Sequence, residues 1–391
     1  MTDRDLIYLD CNASTPCDPR VVEAMLPFFT AVAANPASRN HRPGREALSA
    51  LEHAREVVAR CVGAGSPTEI VFTSGASEAN NLALTGAAEA LAPRRRHLLT
   101  QTSEHPSVLE PLRRLAARGW ELTVVGVGRD GRVRLDELAA ALRDDTALVS
   151  LMLANNETGA VQPVAEAAAL AHRRGAVLHC DAAQGAGKLP LDAAALAADL
   201  LTVSGHKVYG PKGIGALCLR SGAELRLVPQ ILGGGHEGGL RSGTPNLPGA
   251  IGLATALELA AMELPGESVR LAALRDSLEH RLLARLEGCT VNAAGAPRLP
   301  GTSNLSFAGI ESTALLASLP DLAVGTGSAC ASSHPAPSPV LLAMGVERGL
   351  ASSSLRLSLG RFTTAAEVER AADRIADEVL RLRALRRRPR A

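Results

Sequence analysis

The chain is predicted to be an α/β protein: a mostly parallel, doubly wound, seven-stranded sheet in a large domain, joined to a smaller α+β domain. Three observations predict this. Seven short apolar runs occur between residues 69 and 219: Glu69–Thr73, His97–Gln101, Glu121–Val125, Ala147–Leu153, Val177–Cys180, Leu200–Val203 and Ile214–Leu219. Ala/Leu-rich helical stretches, such as Pro106–Arg118, Leu135–Leu142 and Val164–Arg174, lie between most of them. Strands alternating with helices form a parallel sheet covered on both faces. Finally, 391 residues exceed the usual size of a single hydrophobic core.

After residue 219 the pattern changes. A Gly-rich loop, 233–239, precedes Leu240-Arg-Ser-Gly-Thr-Pro. Two helical patterns follow, roughly Pro248–Glu263 and Glu267–Arg285, then short strands at Thr290–Asn292, Ser303–Phe307 and Leu355–Leu359. A last helix over about Ala365–Leu385 ends in a basic tail, 386–390. The expected boundaries are 16–263 for the large domain, and 1–15 with 264–391 for the small one.

Composition excludes several classes. Forty-one Lys and Arg balance forty Asp and Glu, so the whole chain has no electrostatic bias toward nucleic acid or membrane. No apolar run approaches the ~20 residues of a membrane helix. The N-terminus, Met1-Thr-Asp-Arg-Asp, is polar and unlike a signal peptide. The seven cysteines are odd in number, widely spaced and without a C-x-x-C pair. That disfavours both a disulfide framework and a zinc site, and a reducing cytoplasm is the simplest setting. The only lysines are Lys188, Lys207 and Lys212.

In doubly wound sheets, sites form beyond the carboxyl ends of the strands. Two such ends stand out. Asp181 follows one strand and Lys207 the next, a 26-residue step that matches one βα crossover. Enzymes using pyridoxal 5'-phosphate (PLP) need this pair, a lysine for the carbonyl carbon and a carboxylate for the pyridinium nitrogen. Taken alone, the two are better read as a helix cap and a surface lysine, and it is the context that shifts the balance. Ser204 and His206 flank the lysine with donors suited to a phosphate. A third end runs from Phe72-Thr through Ser74-Gly-Ala-Ser77 into a helix. Such a turn binds phosphate through free N–H groups, although an ordinary Ser cap uses the same residues. Thr102-Ser-Glu-His105 offers an imidazole that could stack on a ring or be a buried structural histidine. Asn155-Asn156 offers amides that could reach a ligand or form a turn.

Together these segments resemble the class V branch of fold-type-I PLP transferases, and within it the long-loop cysteine desulfurases. The likeness is collinear over essentially the whole chain. It includes Tyr8-Leu-Asp-Cys-Asn-Ala-Ser-Thr-Pro16, Asn35-Pro-Ala-Ser38 with His41, and Phe72-Thr-Ser-Gly-Ala-Ser-Glu-Ala-Asn-Asn81. It continues through Asn155-Asn-Glu-Thr-Gly159, Asp181-Ala-Ala-Gln184, Ser204-Gly-His-Lys207, Arg241-Ser-Gly-Thr244, Gly327-Ser-Ala-Cys330 and Ser354-Leu-Arg-Leu-Ser-Leu-Gly360. It departs at Cys11, Ser14, Ser77, His236 and Gly238.

The resemblance implies the following roles. Lys207 forms the internal aldimine, Asp181 pairs with the pyridine nitrogen, and Gln184 meets the ring hydroxyl. His105 stacks on the ring and moves protons. Asn156 sits between ring hydroxyl and substrate carboxylate, and Arg356 clamps that carboxylate. Ala76, Ser77, Ser204 and His206 hold the phosphate, and Thr244 completes the cradle from a second copy in a homodimer. Cys330, in a Gly/Ser/Ala/Pro-rich stretch over about 325–339, is the nucleophile that takes sulfur from L-cysteine as a persulfide. Alanine leaves and an acceptor protein collects the sulfur. No metal, direct nucleic-acid contact or membrane is implied. A selenocysteine lyase or another class V PLP enzyme is the nearest alternative.

Overall fold

The computed structural model describes residues 6–92, 94–221, 225–326 and 336–387. Twelve strands are present among them: β1 Ile7–Tyr8, β2 Ile70–Thr73, β3 His97–Gln101, β4 Glu121–Val125, β5 Thr146–Met152, β6 Val177–Asp181, β7 Leu200–Ser204, β8 Gly215–Leu219, β9 Cys289–Val291, β10 Thr302–Phe307, β11 Leu322–Ala323 and β12 Ser354–Ser358. Strands β2 to β8 form one seven-stranded sheet in the order β2-β8-β7-β6-β5-β3-β4. Strand β8 runs antiparallel to β2 and β7, and the other pairs are parallel. Six strands therefore point their carboxyl ends to one edge. The predicted runs and the observed strands agree to within a residue or so at each end.

Alternation along these strands explains why both faces are covered. Val71, Leu98, Leu148, Leu200 and Leu217 enter one core with Ala79, Leu82, Ala83, Leu112 and Leu115 of two flanking helices, Ala76–Leu91 and Pro106–Ala116. Their neighbours Ile70, Phe72, Leu99, Val149, Leu201 and Ala216 enter the opposite core, with the helix Arg42–Val62. Adjacent strand residues face opposite sides, and a strand buried on both faces reads as a continuous apolar run. That is the pattern of β5, every residue of which is buried.

A separate apolar core gathers Ile7 and Leu9 with residues from Leu271 to Val379. It lies around the sheet β12-β10-β9 and the pair β1-β11. The two helical patterns expected on either side of residue 265 are one helix, Leu247–Arg285, which continues through Pro265. Its first half packs on the large core through Leu253, Ala256, Leu257 and Ala260, and its second half on the other through Leu271, Leu278 and Leu282. Anchorage on two cores outweighs the hydrogen bond that proline cannot make. This helix also contains a window apolar enough to cross a membrane, but its apolar residues are shared between two protein cores.

Candidate active site

The carboxyl edge of the large sheet gathers most of the predicted residues. Asp181 ends β6, Ser204 ends β7, and Lys207 closes the 3-10 turn after it. Ala76 and Ser77 open the helix after β2, His105 caps the helix after β3, and Asn156 follows β5. Two glycines make the closeness of these loops possible. Gly75 adopts φ +150, and a Cβ on Gly215 would lie 2.8 Å from the Gly75 Cα. A side chain at Gly215 would push the helix start away, and one at Gly75 would strain its backbone.

Asp181 is buried and held by two donors. Its Oδ1 accepts from the Ala183 N–H at 3.0 Å, and its Oδ2 from Asn80 Nδ2 at 2.8 Å. The same Asn80 nitrogen donates to Ser107 Oγ at 2.9 Å. Ser107 Oγ in turn lies 2.8 Å from His105 Nδ1, which also accepts the Ser107 N–H at 3.1 Å. An imidazole nitrogen that accepts carries no proton, so the neutral ring holds its proton on Nε2. Burial keeps His105 below its ordinary pKa, against the pull of Asp181. One chain of hydrogen bonds thus fixes the acid and the imidazole together. Asn80 belongs to a motif quoted above but was given no role there; its partner lies 101 residues away.

Lys207 donates to the main-chain oxygens of Asn12 at 2.5 Å and Ala13 at 2.8 Å. The N-terminal segment is fastened there by Thr15, whose N–H and hydroxyl both donate to the His206 carbonyl. His206 lies 3.3 Å from Ser14 Oγ, and burial beside three lysines pushes its pKa down to about 4. A neutral imidazole is therefore the form present at pH 7. Gln184 donates to Asn12 O at 2.9 Å and accepts from Lys188 at 2.9 Å. Neither Asn12 nor Lys188 was assigned from sequence.

Ser74 N donates to Glu78, which pairs with Arg241 at 2.7 Å. This ion pair ties the helix start to the loop that carries Thr244, which is exposed. The N–H groups of the first helical turn and the hydroxyls of Ser77 and Ser204 form a donor set that suits a phosphate.

Arg356 arrives from the other core, on β12. It is 1% exposed; its guanidinium donates to Asp10 Oδ1 at 2.7 Å and to the Asn156 carbonyl at 3.2 Å. Its Nε has no hydrogen-bond partner among the described residues. A buried cation with spare donors is ready to receive an anion. Gly325 packs against this pair, and a Cβ there would lie 2.8 Å from the guanidinium. Of the two adjacent amides, Asn155 makes the turn: its Oδ1 accepts the N–H groups of Glu157 and Thr158, both at 2.9 Å. Asn156 is the one left beside Arg356.

Two buried carboxyls border the site. Desolvation raises Glu104 to about 8 and Glu157 to about 7. Glu157 accepts from Ser338, the cap of the helix Pro339–Ala343. Cys330 and the rest of 327–335 lie outside the described residues. The six described cysteines are free. Burial pushes Cys11 and Cys289 up to about 11 and Cys218 to about 12, which makes them poor nucleophiles.

The donor set fits PLP: an acid, an amine and a helix N-terminus on neighbouring strand ends, with an imidazole beside them. Comparison with known proteins agrees. The aminotransferase class-V family model matches residues 7–371. A cysteine desulfurase IscS of Anaeromyxobacter dehalogenans (strain 2CP-C) is 49% identical over 377 residues, covering 96% of this chain and 93% of its own. Among solved structures, a NifS-like protein superposes with a TM-score of 0.88 at 37% identity, covering 95% of this chain and 98% of its own. SspA in complex with cysteine superposes at 0.80 with 36% identity, covering 91% and 99%. The chain belongs to the class-V aminotransferase family and, within it, to the cysteine desulfurases.

Proposed function

We propose that this chain takes sulfur from L-cysteine onto Cys330 with the help of PLP, releases alanine, and hands the sulfur to an acceptor protein. The observation that carries the proposal is the hydrogen-bonded chain Asp181–Asn80–Ser107–His105 at the strand ends beside Lys207. When bound, PLP supplies an electron sink for the substrate α-carbon.

The chain's own residues supply the rest. Asp181, fixed by two donors, would hold the ring nitrogen. Lys207 provides the amine that holds the cofactor and, once released, a base for the α-proton. His105 accepts a proton only weakly while buried, so it serves as a Nε2–H donor and a stacking surface. Arg356 exchanges part of its contact with Asp10 and Asn156 for the substrate carboxylate, and that exchange orients the substrate. The Cys330 thiolate then attacks the substrate sulfur. The S–S bond forms as the C–S bond breaks, the bonding pair stays on carbon, and protonation there yields alanine. The persulfide sulfur is the species passed on, toward iron–sulfur cluster assembly or thio-modification.

The phosphate falls to Ala76, Ser77, Ser204 and His206, with Thr244 acting across a homodimer interface. We assign residues 16–263 to one domain and 1–15 with 264–391 to the other. A reducing cytoplasm is the setting in which a free Cys330 persists.

The test is a product assay. Wild-type protein with PLP, L-cysteine and a reductant is expected to give alanine and sulfide. Cys330→Ala is expected to keep the visible band of the bound cofactor and make neither product. A variant that still releases sulfide would remove Cys330 from the reaction. Wild-type protein that turns over selenocysteine but not cysteine would move the substrate to selenium.

A further inference from the structure

Resting on the proposed function, we infer that Lys188 is a positioning residue of the PLP site. It fixes the Gln184 amide with its N–H groups toward the ring hydroxyl, and it sets a second positive charge beside Lys207. Gln184 and Lys188 are four residues apart on the turn that follows β6, which puts both side chains on one side. Lys188 Nζ donates to Gln184 Oε1 at 2.9 Å and to Asn12 Oδ1 at 3.0 Å. An amide whose oxygen is engaged by an ammonium cannot flip without losing that bond. Its nitrogen must then be the end that faces Asn12 O and the site. Lys207 holds the main-chain oxygen of the same Asn12, so one asparagine separates the two amines.

A structural role accounts poorly for a lysine here. The side chain is half-buried, and its partners are amide oxygens, not carboxylates. The carboxylates on the wall of the small adjoining cavity, about 20 Å³, are otherwise engaged. Glu263 pairs with Arg20 and Arg361, and Glu267 with Arg270. Asp10 pairs with Arg356. The ionisable groups whose charge Lys188 feels are Lys207, Cys11 and Arg356, and burial with the first of these lowers it to about 7. An uncompensated buried ammonium costs stability, and a methionine would fill the same space without that cost.

Losing the donor to the ring hydroxyl, and below about pH 7 losing the Lys188 charge as well, favours the protonated, visible-absorbing form of the lysine-bound cofactor. The experiment follows the band near ~420 nm against pH in protein reconstituted with PLP. The variants are Lys188→Met, which removes both effects, and Lys188→Gln, which keeps an amide donor. In Lys188→Met the midpoint of the band is expected to rise by about one pH unit, and in Lys188→Gln by less. Lys188→Gln carries the test if Lys188→Met fails to fold. An unchanged midpoint in a folded variant would overturn the assignment. A wild type with no such band would instead overturn the cofactor reading itself.

Discussion

The two ends of the site are built differently. The Asp181–His105 end lies on a single sheet, and its polar groups bond one another: carboxylate to amide, amide to hydroxyl, hydroxyl to imidazole. The Arg356 end is a junction. It joins Asp10 near the N-terminus, Asn156 after β5 and Arg356 on β12, and its guanidinium keeps a buried nitrogen without a hydrogen-bond partner among the described residues. The first end carries no buried cation and is bonded internally before any ligand arrives, with Asn80 Oδ1 left without a hydrogen-bond partner among the described residues. The second holds a buried charge with capacity to spare, as a substrate clamp needs.

This contrast sets the size of the expected effects. Arg356→Ala should cost the most. It removes the proposed clamp and leaves Asp10 without its cation, so kcat/KM for L-cysteine should fall by about 10²–10³-fold. Arg356→Lys should recover only part of this, because a single ammonium cannot replace the planar fork. A loss below tenfold would mean that another group holds the carboxylate.

Asn80→Leu comes next. It deprives Asp181 Oδ2 and Ser107 of a donor, a penalty of about 1–3 kcal/mol, or about five- to 150-fold in kcat/KM. Because Ser107 touches His105, the acidic limb of the pH–rate profile should move as well. An unmoved profile would separate His105 from the chain.

Glu157→Gln should be mild for activity, within a few-fold, yet visible in stability. The folded pKa of Glu157, about 7, lies above its ordinary value of 4.5. The folded state therefore holds more protons between pH 4.5 and 7, and its stability falls as pH rises through that window. Glu157→Gln still offers Ser338 an acceptor and cannot ionise. Between pH 5 and 8 its melting temperature should drop less than that of the wild type. Equal slopes would place the Glu157 pKa in the usual carboxylate range.

Much of the first end was legible in the sequence. Strands with fully buried faces announce themselves as apolar runs, and β2 to β8 appeared where the runs were. Asp181, Lys207 and His105 could be located because each follows such a run. Asn80, Asn12, Lys188 and Asp10 could not be assigned, since Asp181, Lys188, Asn12 and Arg356, which they respectively meet, sit 101 to 346 residues away. Lys188 forms its bond to Gln184 at a visible i,i+4 spacing, but the burial that gives that bond meaning is tertiary. Pro265 misled in the opposite direction: read locally it ends a helix, yet packing against two cores carries Leu247–Arg285 through it.

Lys207 is the amine proposed to hold PLP. With only three lysines in the chain, it can be read directly. The PLP-loaded protein is reduced with borohydride, digested, and the modified peptide located by mass spectrometry. The account predicts one adduct, on Lys207, and none on Lys188 or Lys212. An adduct on either of those lysines, or none after loading, would contradict it.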